Sequence, residues 1–229
     1  MPHQKFQGFI YLLICILSSF SCSRDTLFKE VSSEHSGIEF SNTILETDSF
    51  NILTEEYIFN GGGVAVADFN LDGLPDLFFS GNQAPSALYL NEGNLKFHDV
   101  SKQSGITSER RWFTGTLILD VNADGLPDIY VSAGIDDQPE MRRNVLWVHQ
   151  GLDEKGVPSF IDLADQYGLA DAHSSMWSAV LDYNNDELLD LYVLNNEQVV
   201  ILPTNYLEKL NYGSSPSNDR LYRNNGDGS

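Results

Sequence analysis

Three segments of the 229-residue chain repeat one spacing of aspartates. They are Asp68-Phe-Asn70-Leu-Asp72-Gly73-Leu-Pro-Asp76, Asp120-Val-Asn122-Ala-Asp124-Gly125-Leu-Pro-Asp128 and Asp182-Tyr-Asn184-Asn-Asp186-Glu187-Leu-Leu-Asp190. Their offsets are 52 and 62 residues. An internal repeat limits the fold before any other property does, because each copy must form the same small unit and the units must stack. Two further motifs run in step with the first. Phe28-Lys-Glu-Val31 leads to Gly37-Ile38, Phe97-His-Asp-Val100 to Gly105-Ile106, and Phe160-Ile-Asp-Leu163 to Gly168-Leu169. Ala87-Leu-Tyr-Leu-Asn91-Glu-Gly93 is matched by Val145-Leu-Trp-Val-His-Gln-Gly151 and by Arg220-Leu-Tyr-Arg-Asn224-Asn-Gly226.

Each motif reads as a strand. Gly63-Val-Ala-Val-Ala67 is small, apolar and continuous, the pattern of a strand buried on both faces, and Thr116-Leu-Ile-Leu119 and Ser178-Ala-Val-Leu181 are its counterparts. Each runs into an Asp loop, and each loop opens a second strand: Leu77–Ser80, Ile129–Ser132 and Leu191–Leu194. The Leu-Tyr/Trp segments give a third strand. The Phe-x-Asp-Val segments give a fourth, closed by a short turn that ends at Gly. Four short strands per unit describe a propeller blade. The fold class expected is therefore all-β: a β-propeller of four-stranded blades, with about three blades in the chain and the ring incomplete. A β-sandwich with chance similarity is the alternative, and three motifs recurring in one order argue against it. Leu221–Ser229 stops where another Phe-x-Asp-Val strand is due, so the sequence is expected to be truncated within its third blade.

The loops carry a cation chemistry. In D-x-N-x-D-G-x-x-D the side-chain oxygens at positions 1, 3 and 5 face a common centre as the backbone curls. Position 7 offers a carbonyl, position 9 returns a carboxylate, and Gly at position 6 permits the bend. Hard, mostly anionic oxygens suit Ca²⁺. An EF-hand loop needs Glu at position 12 between helices, whereas position 12 here is Phe79, Val131 or Val193 between strands. The alternative is a set of Asx-turns without metal; three copies in register argue against it. Glu187 replaces Gly at position 6 of the third loop, which makes that site the weakest.

With these residues in view, the chain resembles FG-GAP/VCBS-type repeats, the calcium-binding blade repeats of integrin-α-like propellers. Asn60-Gly-Gly-Gly-Val-Ala-Val-Ala-Asp68 is similar to the strand that precedes the loop in that family. The linked second and third motifs resemble the subgroup found beside ASPIC/UnbV domains in cartilage-acidic-protein-like sequences. The resemblance covers residues 28–229. It implies three ligand sets: Asp68, Asn70, Asp72, Leu74 (carbonyl) and Asp76; Asp120, Asn122, Asp124, Leu126 (carbonyl) and Asp128; Asp182, Asn184, Asp186, Leu188 (carbonyl) and Asp190. The cofactor expected is Ca²⁺ at up to three sites, acting as structural cement. Extracellular modules bind it with Kd on the order of 10⁻⁴–10⁻³ M.

Charge narrows the partners. Lys and Arg number 13 against 33 acidic residues, a formal net charge of −20. Nucleic acid and anionic membrane surfaces are poor partners for such a chain. Hydrophobic residues at 41% and aromatics at 11% supply a core, which excludes an acidic disordered chain. The acid is 20 Asp to 13 Glu, with 18 Asn and 18 Gly, a composition of turns and cation loops rather than helices.

Residues 1–21 read as a signal peptide. Lys5 is the positive flank, and Phe9–Leu17 is an apolar run shorter than the about 20 residues a bilayer span needs. A buried first strand or helix is the competing reading, and the polar residues that follow at once argue against it. Ser19-Phe-Ser-Cys22-Ser23 resembles a bacterial lipoprotein cleavage site, in which Cys22 is lipidated. It lacks the usual Leu three residues before the Cys and has Phe at a small-residue position, so ordinary cleavage after Ser21 competes. Cys15 leaves with the signal, which strips Cys22 of a disulfide partner, and acylation accounts for the remaining thiol. Residues 22–27 are then an anchor linker, and the protein an exported, outer-membrane or cell-surface lipoprotein, or a secreted one.

No nucleophile elbow, phosphate loop, dinucleotide fingerprint or zinc spacing is present in the sequence. The five histidines (3, 35, 98, 149 and 173) share no motif position and read as surface or packing residues, and Trp112, Trp147 and Trp177 read as core. Residues 197–219 lengthen one connection and are either a partner-facing insertion or a solvated spacer. The leading function is a calcium-stabilised binding module, not an enzyme, for an extracellular protein or glycan, touching membrane only through its lipid anchor. The alternatives are the first part of a secreted hydrolase or lyase with its catalytic residues elsewhere, and a structural array that self-associates.

Overall fold

The computed structural model describes residues 26–106, 111–196, 213 and 215–226. The export signal and Cys22 lie outside the described residues, as does most of the 197–219 insertion. The chain divides into two units, Met1–Ser32 and Ser33–Ser229. In the first, residues 26–32 are exposed and form no regular element, so the strand expected at Phe28–Val31 is absent. Its fourth-strand sequence has no ladder neighbour among the described residues, and an extended segment becomes a strand only when its N–H and C=O groups find one.

The second unit opens with a single helical turn, α1 (Ser33–Ser36), and then builds three antiparallel meanders. The first blade is β1 (Val64–Ala67), β2 (Asp76–Phe79), β3 (Ala87–Asn91) and β4 (Phe97–Asp99), paired in that order. The second is β5 (Phe113–Leu119), β6 (Asp128–Ala133), β7 (Val145–Leu152) and β8 (Pro158–Asp162), with a 3-10 turn at Pro139–Arg142. The third is β9 (Ser175–Leu181), β10 (Asp190–Asn195) and β11 (Arg220–Tyr222), three strands among the described residues. The inner strands β1, β5 and β9 lie side by side, β5 against both others. This is the expected propeller architecture.

Blade packing follows from strand alternation. Phe78, Leu88 and Leu90 of blade one meet Ile129, Val131, Val145 and Trp147 of blade two. Phe78 and Phe113 each approach the Trp147 ring edge-on, at 5.7 and 5.9 Å between centroids. The alternate residues of the same two strands, Tyr130, Leu146 and Val148, face Leu191 and Val193 of blade three. The middle blade is thus apolar on both faces, and every residue of β6 is buried. The extended segment 39–45 lies along the other face of blade one. There Phe40 stacks on Phe79 at 5.0 Å, the Glu39 N–H donates to the Tyr89 hydroxyl at 3.2 Å, and the Leu45 N–H donates to the Gln83 Oε1 at 2.6 Å.

Two expectations about the core need correction. The inner strands are not buried on both faces: in β1, Ala65 is buried while Val64 and Val66 are exposed, because only one side of that strand meets another blade among the described residues. Trp112 and Trp147 are core, but Trp177 is 53% exposed. Trp177 stands five residues before its Asp loop, where blades one and two carry Gly63 and Gly115. At those glycines a Cβ would lie 2.4 Å from Thr116 Oγ1 and 2.9 Å from the Met176 carbonyl. The absent side chain is what lets the next inner strand come close.

Between blades two and three lies a buried polar chain. Asn144, fully buried, accepts from the Ala133 N–H at 2.8 Å and donates to the Tyr130 hydroxyl at 2.8 Å and Ser175 Oγ at 3.0 Å. Ser175 donates to Asn195 Oδ1 at 2.9 Å, and Tyr130 donates to the Leu169 carbonyl at 3.0 Å. Burial pushes the Tyr130 hydroxyl far above its ordinary pKa, so it stays a neutral donor. Truncating Asn144 strands the buried Ala133 N–H and takes the donor from two buried hydroxyls, an orphaned buried group costing about 1–3 kcal/mol. We therefore expect Asn144→Ala to lower unfolding free energy by about 3 kcal/mol in urea titration with the slope unchanged. A loss below about 1 kcal/mol would show the network to be dispensable.

The Asp loops as candidate cation sites

The three Asp loops join β1 to β2, β5 to β6 and β9 to β10, so they all lie at the same end of the blades. Their hydrogen bonds repeat. In the first, Asp68 accepts from the Asp72 N–H at 3.0 Å through Oδ1 and from the Gly73 N–H at 2.8 Å through Oδ2. Asp72 accepts from the Leu74 N–H at 2.8 Å and from Asn70 Nδ2 at 3.0 Å, while Asn70 Oδ1 takes the Asp72 N–H at 3.2 Å. The second loop is the same around Asp120, Asn122 and Asp124, the third around Asp182, Asn184 and Asp186.

Position 9 differs from what the spacing alone shows. Asp76, Asp128 and Asp190 are fully buried at the first residue of the second strand. One oxygen of each takes the N–H of loop position 2: Phe69 at 2.8 Å, Val121 at 2.8 Å, Tyr183 at 3.2 Å. The other takes an N–H of the third-strand segment: Asn91 at the end of β3, His149 within β7 and Asn224 just beyond β11, each at 2.8 Å. This carboxylate thus pins three pieces of its blade at one point. Burial, the dominant cause, pushes the Asp76 and Asp128 carboxyls above the usual range, against the pull of these N–H donors. Each therefore favours the fold while protonated, and that contribution is lost as pH rises through the raised value. A bound cation would reverse the slope.

The donor set fits a hard cation by chemistry: carboxylates at 1, 5 and 9, a carboxamide at 3 and the carbonyl of Leu74, Leu126 or Leu188 at 7. Each carboxylate oxygen holds two lone pairs, and one accepted N–H leaves the second free. In the described geometry no three His, Cys, Asp or Glu side chains among the described residues converge closely enough to hold a metal by themselves. The loops are held by their own amides, with Asp72, Asp124 and Asp186 exposed at the mouth and position 9 turned inward.

Backbone strain separates the loops. Position 6 has positive φ in all three: Gly73 at 84°, Gly125 at 83° and Glu187 at 69°. Position 4 is left-handed too, with Leu71 at 59°, Ala123 at 56° and Asn185 at 60°, a requirement the glycine pattern did not reveal. The third loop thus places a tolerant Asn at one left-handed position and an intolerant Glu at the other. Its position-6 N–H reaches the position-1 Asp at 3.0 Å, against 2.8 Å in the other two.

The histidines also need revision. His149 occupies the motif place of Asn91 and Asn224, so one histidine does sit at a shared position. Asn91 and Asn224 accept the N–H two residues on, from Gly93 at 2.8 Å and Gly226 at 2.9 Å, and His149 Nδ1 does the same for Gly151 at 2.9 Å. The alignment of the third-strand motifs carried that signal.

The opposite end of the blades carries two adjoining recesses. The larger, about 670 Å³, is bounded by Phe50, Gln83, Arg111, Trp112, Gln138 and Met141 among others. The smaller, about 150 Å³, includes Glu55, Tyr57, Asp137, Arg142 and Met176, and Ile135 and Asp136 line both. Phe50 meets Trp112 edge-on at 5.3 Å. Burial first, then Asp137 and Asp136, raise the Glu55 carboxyl above its ordinary pKa.

Residues 68–131 match the family model of the FG-GAP-like repeat. The match starts at the first residue of the first Asp loop and runs through the second loop into β6. No curated protein matches the chain.

Removing strain at position 6 tests the loop geometry. A non-glycine residue in the left-handed region costs about 1–2 kcal/mol, partly offset by the greater unfolded-state freedom of glycine. Glu187→Gly is expected to raise the metal-free stability by about 1 kcal/mol, a midpoint rise of about 2–4 °C for a domain of this size. An unchanged or lowered midpoint in thermal unfolding would mean that position 6 of this loop is not strained.

Proposed function

We propose that the chain is an exported, lipid-anchored, calcium-binding propeller that works as an adhesion-type module, holding a protein or glycan outside the cytoplasm. The observation that carries this reading is the threefold recurrence of one oxygen-rich loop with one hydrogen-bond pattern at one end of the blades. In each loop the side chains at positions 1, 3, 5 and 9 and the carbonyl at 7 are the groups that would hold Ca²⁺, which would offset the mutual repulsion of three nearby carboxylates. A site filled by protein oxygens on one side of a strand turn leaves little coordination for a substrate, which favours a structural role and binding over catalysis.

The ligand surface in this reading is the recess at the far end. It combines aromatic and thioether surface (Phe50, Trp112, Met141) with a carboxamide and a carboxylate (Gln138, Asp136), the mixture of apolar wall and a few polar groups that recognition sites use. Gln138 and Met141 stand on the long β6–β7 connection, so they can change without disturbing a ladder.

Thermal unfolding of residues 23–229 with millimolar Ca²⁺, and with Mg²⁺ as control, tests the cation half. The expected result is a Ca²⁺-selective rise in midpoint through linkage, about 3 kcal/mol at a hundredfold excess over Kd. Equal midpoints in a folded sample would end the calcium assignment. A glycan array and an extracellular protein panel test the binding half. A ligand captured by wild type and lost by Gln138→Ala/Met141→Ala at unchanged midpoint supports the recess, and retention by that variant moves the site elsewhere.

A further inference from the structure

We infer that His149 is a positioning residue that latches the first Asp loop to the second blade, so that the first loop, alone among the three within the described residues, is fixed by its neighbour. The inference rests on the cation-site reading only for its calcium readout. His149 is 2% exposed and lies on β7. Its ring makes two polar contacts. Nδ1 accepts from the Gly151 N–H at 2.9 Å, and Nε2 lies 2.9 Å from the Phe69 carbonyl. An amide N–H can only donate and a carbonyl can only accept, so Nδ1 is the bare nitrogen and Nε2 carries the hydrogen.

Phe69 is position 2 of the first loop. Its N–H donates to Asp76 Oδ2, and its carbonyl receives the His149 ring. His149 in turn donates its own backbone N–H to Asp128 Oδ1 at 2.8 Å. One continuous path of hydrogen bonds therefore joins the buried carboxylate of the first loop to that of the second. Aromatic packing holds it in place: Phe160 meets His149 at 4.9 Å and Phe69 at 6.0 Å, both edge-on.

The other blades lack this reach. Asn91 and Asn224 spend their Nδ2 inside their own blade, on the Pro75 carbonyl at 2.8 Å and the Leu189 carbonyl at 3.3 Å. A carboxamide at this position closes its own loop. The longer imidazole crosses to the preceding one. The two jobs are separable by substitution, because His149→Asn keeps the Gly151 cap and the backbone N–H to Asp128 while deleting the donor to Phe69.

Hydrogen exchange on the full chain reads the latch directly. In His149→Asn, amides of residues 69–74 are expected to exchange about tenfold faster, the local cost of an orphaned buried carbonyl, with residues 121–126 and 183–188 unchanged. A calcium titration of the same variant should lose about tenfold affinity at one site and keep the others. His149→Gln, whose Nε2 has similar reach, should restore protection of the first loop to within about twofold of wild type, and it decides the matter if His149→Asn does not fold. No change in the first loop, or an equal rise in all three, overturns the latch. A wild-type chain that takes up no calcium ends the cation reading, and the exchange comparison then still decides the latch.

Discussion

A carboxylate buried at the head of the second strand organises each blade. Asp76, Asp128 and Asp190 each accept one N–H from the Asp loop and one from the third-strand segment. Burying a charge is costly unless donors surround it, and here both oxygens are met by backbone amides that the strand ladder already holds in place. The loop cannot open without uncovering this group, and the third strand cannot shift register without losing its bond to it. The aspartate spacing and the strand order are therefore one constraint, which is why the two motifs recur together along the chain.

Much of this was legible in the sequence. Motif order gave the blades because a propeller unit repeats its turns as well as its strands, and turn residues are the least interchangeable. The loop positions that face solvent were legible by residue type. The inward role of position 9 was not, because an Asp that ligates a cation and an Asp that caps two amides have the same spacing. Left-handed backbone at Leu71 and Ala123 was equally hidden, since neither residue advertises positive φ as Gly73 does. The place of His149 is hidden because its counterparts are not histidines but Asn91 and Asn224. The Phe28–Val31 segment failed for the opposite reason: its sequence is right for a strand, but strand formation is decided by a neighbour.

Blade-to-blade contact shows a gradient along the chain. Blade two is apolar on both faces, and its β6 is buried at every residue. Blade three repeats the residues that its predecessors bury, yet with different surroundings. Leu221 is 48% exposed where Leu88 and Leu146 are fully buried. Trp177 projects at the position where Gly63 and Gly115 admit a neighbouring strand. That indole occupies the space through which an inner strand approaches in the first two interfaces, so any surface packing on blade three must meet it with a different shape from the one that repeats earlier.

Asx-type hydrogen bonding in these loops and the cation binding proposed for them would be successive uses of the same oxygens. An amide N–H occupies one lone pair of a carboxylate oxygen and fixes its direction, leaving the other lone pair aimed. The amides of Gly73, Gly125 and Glu187 do this for position 1, and those of Leu74, Leu126 and Leu188 for position 5. A loop arranged in this way before any ion arrives loses little entropy when one binds. In the proposed role, the carboxylates that repel one another in its absence are the same groups that would favour a hard cation. Strain then sets the order among the loops. The third has the same oxygens as the first two but places Glu187 in a left-handed conformation, and its backbone amides meet position 1 at longer distance, 3.2 and 3.0 Å.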